Sequence, residues 1–104
     1  MMSILLEFSM FPTDKRESVS DEVSKVIQMI RDSGVPYKLT AMGTIIETES
    51  IEEALSVVQK AYELLSEDAG RIYSSINIDA RSNKKNRLSG KIESIQSKIG
   101  DVNT

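Results

Sequence analysis

Glu7, Ser9 and Phe11 stand two residues apart near the start of the chain, and Tyr73, Ser75, Asn77 and Asp79 repeat that spacing near its end. In extended backbone, side chains two residues apart share a face. Each set therefore makes a row of carboxylate, hydroxyl, amide and aromatic groups. Such a surface suits a small cationic or hydrogen-bonding heterocycle, whose ring stacks while acceptors read its amino groups. The same residues would also serve as the wet side of an ordinary antiparallel sheet. Leu5 and Phe11 in the first row point to a further arrangement, in which another subunit packs on this face and encloses the polar groups between chains.

Covalent chemistry has little to draw on. The 104 residues include no His, no Cys and no Trp, which removes imidazole-based hydrolysis, Cys/His zinc sites and thiol redox chemistry. What remains is carboxylate, Lys, Tyr or hydroxyl chemistry, or a divalent cation held by oxygens. Binding without catalysis is the natural expectation, with no catalytic residue, no metal ligand and no cofactor. Sixteen Asp and Glu against thirteen Lys and Arg give a net charge of -3. Nucleic acid is thereby disfavoured as a partner, because phosphate neutralisation needs a basic surface. Met1-Met2-Ser3-Ile4-Leu5-Leu6 has no basic flank and is cut short by Glu7. It reads as neither signal peptide nor membrane span, and with zero Cys the expected location is cytoplasmic.

The elements that would position these rows follow from periodicity. Between Ser3 and Phe11, Ile4, Leu6, Phe8 and Met10 alternate with Leu5, Glu7, Ser9 and Phe11, as in a strand with one fully apolar face. Val19, Val23, Val26, Ile27 and Ile30 then recur at helical spacing and predict a helix from about Ser18 to Ser33. Gly34 sits at the left-handed cap position, with Pro36 beyond it. Tyr37–Thr40 and Thr44–Thr48 read as a hairpin around Ala41-Met42-Gly43, where Gly43 permits a backbone that other residues would strain to adopt. Ser50 with Glu53 forms a capping box for a second helix, with Ile51, Leu55, Val58, Tyr62 and Leu65 as its apolar stripe. After Gly70, Ile72, Ser74, Ile76, Ile78 and Ala80 alternate with the polar row as a long last strand. Leu88, Ile92, Ile95 and Ile99 mark a third helix ending near Gly100.

The order strand, helix, strand, strand, helix, strand, helix predicts one α+β domain over residues 1–104. It is a ferredoxin-like βαββαβ fold with an additional C-terminal helix and a four-stranded antiparallel sheet. Two helices must cover one face, leaving the other uncovered, with the first and last strands as neighbours. Asp79-Ala80-Arg81 suggests an ion pair across a bend at the end of the last strand. Residues 1–80 carry seven basic and fourteen acidic groups, and residues 81–98 carry six basic and one. The basic segment would attract an anionic ligand, orient oligomer assembly, or simply be a solvated helix face.

The segments Ser33-Gly34-Val35-Pro36-Tyr37-Lys38-Leu39-Thr40-Ala41-Met42-Gly43-Thr44-Ile45-Ile46-Glu47, Ile76-Asn77-Ile78-Asp79-Ala80-Arg81 and Lys91-Ile92-Glu93-Ser94-Ile95 resemble the small thiamine-binding protein family related to YkoF. Ala41 stands where that family usually has Pro, and Thr48 where it usually has Gly. The resemblance implies a ferredoxin-like subunit that assembles into homodimers or homotetramers and binds thiamine, or its hydroxymethyl-pyrimidine half, without transforming it. On that resemblance Tyr37 supplies an aromatic wall, Met42-Gly43-Thr44 is part of the ligand site with Met42 an adaptable apolar contact, and the Thr44 hydroxyl and backbone hydrogen-bond the ring. Glu47 or Asp79 accepts from the exocyclic amine or balances the thiazolium, and Ser9 and Asn77 complete the polar shell. Strand parity leaves open whether Glu47 shares a face with Ile45 or with the open surface, and a bulge at Gly43 would decide it.

Two enzymatic or nucleic-acid readings of the same fold fare worse. An acylphosphatase-like hydrolase wants a glycine-containing phosphate cradle after the first strand, and Phe11-Pro12-Thr13-Asp14-Lys15-Arg16 has no Gly. An RNA-recognition module wants stacking aromatics in basic surroundings, and only Phe11 and Tyr73 offer rings here. A purely structural homo-oligomer, its sheet face covered by protein alone, is the remaining alternative.

Overall fold

The computed structural model describes residues 2–14 and 20–104. Its elements are β1 (Met2–Pro12), α1 (Ser20–Ser33), β2 (Tyr37–Thr40), β3 (Gly43–Thr48), α2 (Ile51–Ser66), β4 (Ile72–Ser82) and α3 (Arg87–Ile99). The expected start of the first helix at Ser18 and its first apolar residue, Val19, lie outside the described residues.

The four strands form one antiparallel sheet in the order β2-β3-β1-β4. This is the ferredoxin-like βαββαβ arrangement with α3 added. The alternation in β1 sends Ile4, Leu6, Phe8 and Met10 inward, where they meet Ile46 of β3, Val26 and Ile30 of α1, and Ala54, Val57, Ala61 and Leu65 of α2. Both α1 and α2 pack on that face and against each other, which places the core in a single layer between helices and sheet. Gly34 ends α1 at φ +81°, the left-handed conformation that glycine adopts without a Cβ clash.

The apolar stripe of α2 is rotated from the expected one. Ser50 caps the helix, accepting from the Glu53 amide at 3.1 Å. The buried residues, however, are Ala54, Val57, Ala61 and Leu65, while Ile51, Leu55 and Tyr62 lie on an exposed flank. The two alanines let the helix lie close on the sheet, so size at the contact, rather than hydrophobicity alone, sets the phase. The inward-facing row of β4 is exposed as well at Ile76 and Ile78, because β4 is an outermost strand.

The second face of the sheet is not wholly uncovered, as strand and helix order alone would suggest. The third helix packs on β1 and β3 and covers one end of that face, so that Ser3 is buried there.

Candidate functional site

The face opposite the core is assembled from residues directly paired across β1, β3 and β4. Leu5 lies between Glu47 and Asp79, Glu7 between Ile45 and Asn77, Ser9 beside Ser75, and Phe11 beside Tyr73. The two sequence rows thus form one surface with carboxylate, amide and hydroxyl groups at its centre. The rings of Phe11 and Tyr73 close one end, their centroids 5.8 Å apart and tilted by 47°, a favourable aromatic geometry.

The other end of this face is a closed hydrogen-bond network. Glu47 takes a hydrogen bond from the Ser3 hydroxyl at 2.6 Å and from the backbone amides of Arg87 at 2.9 and 3.1 Å and Leu88 at 3.2 Å. Those amides belong to the first turn of α3, whose own N-cap residue, Asn86, makes no side-chain cap. A carboxylate from a neighbouring strand therefore does the capping, aided by the positive end of the helix dipole. Burial pushes the Glu47 carboxyl up, but the Ser3 hydroxyl, the two amides and the Arg87 guanidinium together hold it below its ordinary value. Arg87 in turn donates to the carbonyls of Ser3 at 2.9 Å and Asp79 at 3.1 Å and pairs with the Asp79 carboxylate.

These contacts settle several expectations. The first-to-third strand register is unbroken from Ile4 to Phe8. Glu47 therefore shares a face with Ile45 and with the open surface at once, and no bulge intervenes. Its hydrogen-bond capacity is taken up by α3 and by Ser3 of β1. Asp79 is paired with Arg87 rather than with Arg81, because β4 runs straight through Ser82 without a bend.

Two expected ligand contacts point the other way. Thr44 is buried opposite Phe8 and Leu39, and Tyr37 lies opposite Ile46 and packs against the core, so neither side chain is on the open face. Met42 sits at the tip of the β2–β3 turn and is 85% exposed. Gly43 does not adopt a positive φ. What it provides is room, since a Cβ there would lie 3.0 Å from the Phe8 carbonyl oxygen. The turn itself is built by Thr40, whose hydroxyl accepts from the Met42 and Gly43 amides and donates to the Gly43 carbonyl. Thr48, the second unusual residue of that segment, donates to the Ser50 carbonyl at 2.8 Å and pins the start of α2.

Two clefts flank the face. At the hairpin end, Ser9, Met42, Gly43 and Thr44 come together in a cleft of about 160 Å³ that also touches Phe11. At the α3 end, a cleft of about 350 Å³ is lined by Glu47, Glu49 and Glu53 and by Lys84 and Lys85. Four β1 residues, Ile4 to Glu7, separate the two clefts, roughly 17 Å of extended chain. Asn77 lies between them, opposite Glu7. Sequence reasoning missed Arg87 and Ser3 as organising residues. The available signal was a lone Arg at the start of a helix, where cations are normally unfavourable. Among the described residues, no group of three or more His, Cys, Asp or Glu is disposed to hold a metal ion, and no helix is long and apolar enough to cross a membrane.

Fold and face together define a ferredoxin-like α+β domain with a half-open polar and aromatic sheet surface. The chain belongs to the thiamine-binding protein family, whose model matches residues 6–96. It is 34% identical over 95 residues to a UPF0045 protein of Mycobacterium bovis, covering 91% of this chain and 93% of the relative. The solved structure of a hypothetical protein from Methanocaldococcus jannaschii superposes with a TM-score of 0.78 at 31% identity, over 89% of this chain and 95% of that one. A Thermotoga maritima protein named for thiamine biosynthesis or salvage shares the fold, with a TM-score of 0.76 at 18% identity and coverage of 89% and 98%.

Proposed function

We propose that the chain binds thiamine, or its hydroxymethyl-pyrimidine half, without transforming it, and acts in storage, delivery or sensing as a cytoplasmic homo-oligomer, dimer or tetramer. The family match over residues 6–96 carries this reading. The composition supports it, since no imidazole or thiol is present to make a nucleophile. So does the free half of the sheet face. There the Phe11 and Tyr73 rings offer a wall for the pyrimidine, in place of the inward-facing Tyr37. Glu7, with Asn77 opposite it, accepts from the exocyclic amine and balances the thiazolium charge. Ser9 connects this surface to the hairpin-end cleft, where Met42 and the backbone of Gly43 and Thr44 line the approach. Glu47 and Asp79 act one step back, by fixing α3 over the far end of the face.

Isothermal titration calorimetry of the native protein with thiamine and, separately, with hydroxymethyl-pyrimidine tests the proposal. Saturable heat with either ligand, weakened in Glu7→Gln and Asn77→Ala, is the expected result. No heat with both ligands would leave the structural homo-oligomer as the better account of the face.

A further inference from the structure

The outer edge of β2 holds hydrogen-bonding groups that the fold leaves unused. In an antiparallel pair both backbone groups of a residue point to the same side, and the side alternates from each residue to the next. The Pro36 carbonyl accepts from the Glu47 amide at 3.1 Å, and in the same register Lys38 and Thr40 also turn toward β3. Tyr37 and Leu39 therefore present an amide and a carbonyl each to the outside. Among the described residues no strand pairs with them. Proline and lysine usually protect an edge strand. Here the donor that Pro36 lacks would have pointed to β3, and Lys38 stands beside Ile45 on the face opposite the core. Neither blocks the edge on the helix side.

There α1 overhangs it. The helix buries Val26 and Ile30 and turns Met29 toward α2. At about 100° per residue, Val23, Ile27 and Arg31 then fall on the flank away from α2. With Ser24, Gln28 and Leu39 they line a groove of about 410 Å³ that no carboxylate borders. Asp32, the nearest acidic residue on this turn, is bonded to Gln28 on the α1–α2 side. Leu39 is 60% exposed, a large apolar side chain with room beside it. Because Gly34, Val35 and Pro36 join α1 directly to β2, the Arg31 end of the groove is the Tyr37 end. Val23 and Ile27 lie toward Leu39.

We propose that this edge receives an extended segment of another protein, which adds antiparallel as a fifth strand, with an apolar residue opposite Leu39 and acidic residues opposite Lys38 and Tyr37. Side-chain parity selects that pattern. Residues opposite Leu39 and Tyr37 point into the groove, the first among Val23, Ile27 and Leu39 and the second toward Arg31. The residue between them falls on the open face, opposite Lys38. Both charges that meet the segment are positive although the chain as a whole carries -3, so complementarity asks for apolar, acidic, acidic in that order. A second copy of the chain fits worse. The register that uses the Tyr37 and Leu39 groups of both copies pairs Tyr37 with Leu39 and sets the two Lys38 side chains directly opposite each other, which is unfavourable.

The test uses no thiamine, so it stands or falls apart from the proposed function. Its probe is the end-blocked peptide Ser-Thr-Thr-Ile-Glu-Glu-Thr-Thr-Ser, labelled for fluorescence anisotropy and titrated with the native protein. Saturable binding is expected, about tenfold or more tighter than for the same peptide with Ile-Lys-Lys at its centre. Methylating the Ile amide, which donates to the Leu39 carbonyl, is expected to abolish binding. Methylating the amide of the next Glu, which points away from β2, should change it by no more than about threefold. Leu39→Glu and Arg31→Glu, both at exposed positions, are each expected to weaken binding about fivefold or more with an unchanged circular dichroism spectrum. The peptide should also slow hydrogen exchange at the Tyr37 and Leu39 amides. No saturable binding, equal affinity for the two peptides, or indifference to the methylated Ile amide would each overturn the proposal. Slow exchange at those two amides without peptide, relieved by dilution, would assign the edge to a second copy and overturn it as well.

Discussion

Leu5 and Leu6 are neighbours in β1, yet they belong to different kinds of surface. Leu6 is fully buried, on the face where every inward residue of β1 is apolar and two helices close over it. Leu5 shares its face with Glu47, Asp79 and Glu7, partly under α3. One face is held by packing, which is dense, non-directional and tolerant of no missing volume. The other is held at one end by directed hydrogen bonds and left free at the other. On the proposed function, a minimal fold keeps stability and recognition apart in this way, on alternate residues of the same strands.

The sharpest way to break the comparison is to truncate both leucines. Leu6→Ala leaves a cavity in a closed core and is expected to cost about 2–5 kcal/mol in chemical denaturation. Leu5→Ala is expected to cost less than half as much, because its surroundings are half open. Equal losses would mean that the second face is a core too, closed by protein in the native assembly.

Next in size is Glu47. Glu47→Ala removes the acceptor for three protein donors and uncaps α3, with an expected loss of about 1–3 kcal/mol. Hydrogen exchange at the Arg87 and Leu88 amides should speed up while the amides of α1 and α2 stay protected. The pH dependence has a definite sign. The folded-state pKa of Glu47 is lowered from its ordinary 4.5, so its contribution is fully present above that value and is lost as pH falls through the folded pKa. Glu47→Gln should flatten the stability profile below about pH 4.5 and leave its shape unchanged near neutrality, as measured by urea titration across that range.

How much of this was legible beforehand depends on whether a residue's partner is local. The alternation of β1, the Gly34 cap, the Ser50–Glu53 box and the βαββαβ order are written in neighbouring residues, and all of them appear in the structure. The neighbouring of β1 and β4, which joins Glu7 to Asn77, followed from topology. The bonds from Ser3 to Glu47 and from Glu47 to Arg87 span 44 and 40 residues, and nothing in either segment announces them. Two ligand contacts expected on the family resemblance, rather than from strand parity, have side chains on the other face of the sheet. Thr44 and Tyr37 have polar groups, but their register with Phe8 and Ile46 turns them inward. In α2 the alanines outcompeted larger residues for the sheet because close approach, not hydrophobicity, was limiting.

Recognition should respond in the opposite pattern to stability. Glu7→Gln and Asn77→Ala change exposed or half-exposed groups and are expected to leave the midpoint of unfolding within about 0.5 kcal/mol. Each is expected to weaken thiamine binding roughly tenfold, the loss of one hydrogen bond to a charged or polar ligand group. Thr44→Val should do the reverse, leaving affinity unchanged while perturbing the turn beside Phe8. If Thr44→Val were the variant that lost binding in calorimetry, the ligand would have to reach the inward-facing Thr44 side chain on the helix side of the sheet rather than rest on the open face.

The smallest effect distinguishes the two members of the Arg87–Asp79 pair. The Arg87 side chain is only 12% exposed and the Asp79 side chain 71%, so water already solvates the carboxylate and screens the pair. Arg87 also keeps the Ser3 and Asp79 carbonyls as acceptors when the carboxylate is gone. Asp79→Asn should therefore cost no more than about 1 kcal/mol, with α3 still protected from exchange. Arg87→Ala removes the donor to both carbonyls and leaves the buried Ser3 group to find water. It should accordingly cost more than Asp79→Asn and expose the α3 amides. A larger loss for Asp79→Asn than for Arg87→Ala would place the weight of the network on the exposed ion pair, and the covered end of the face would then depend on salt.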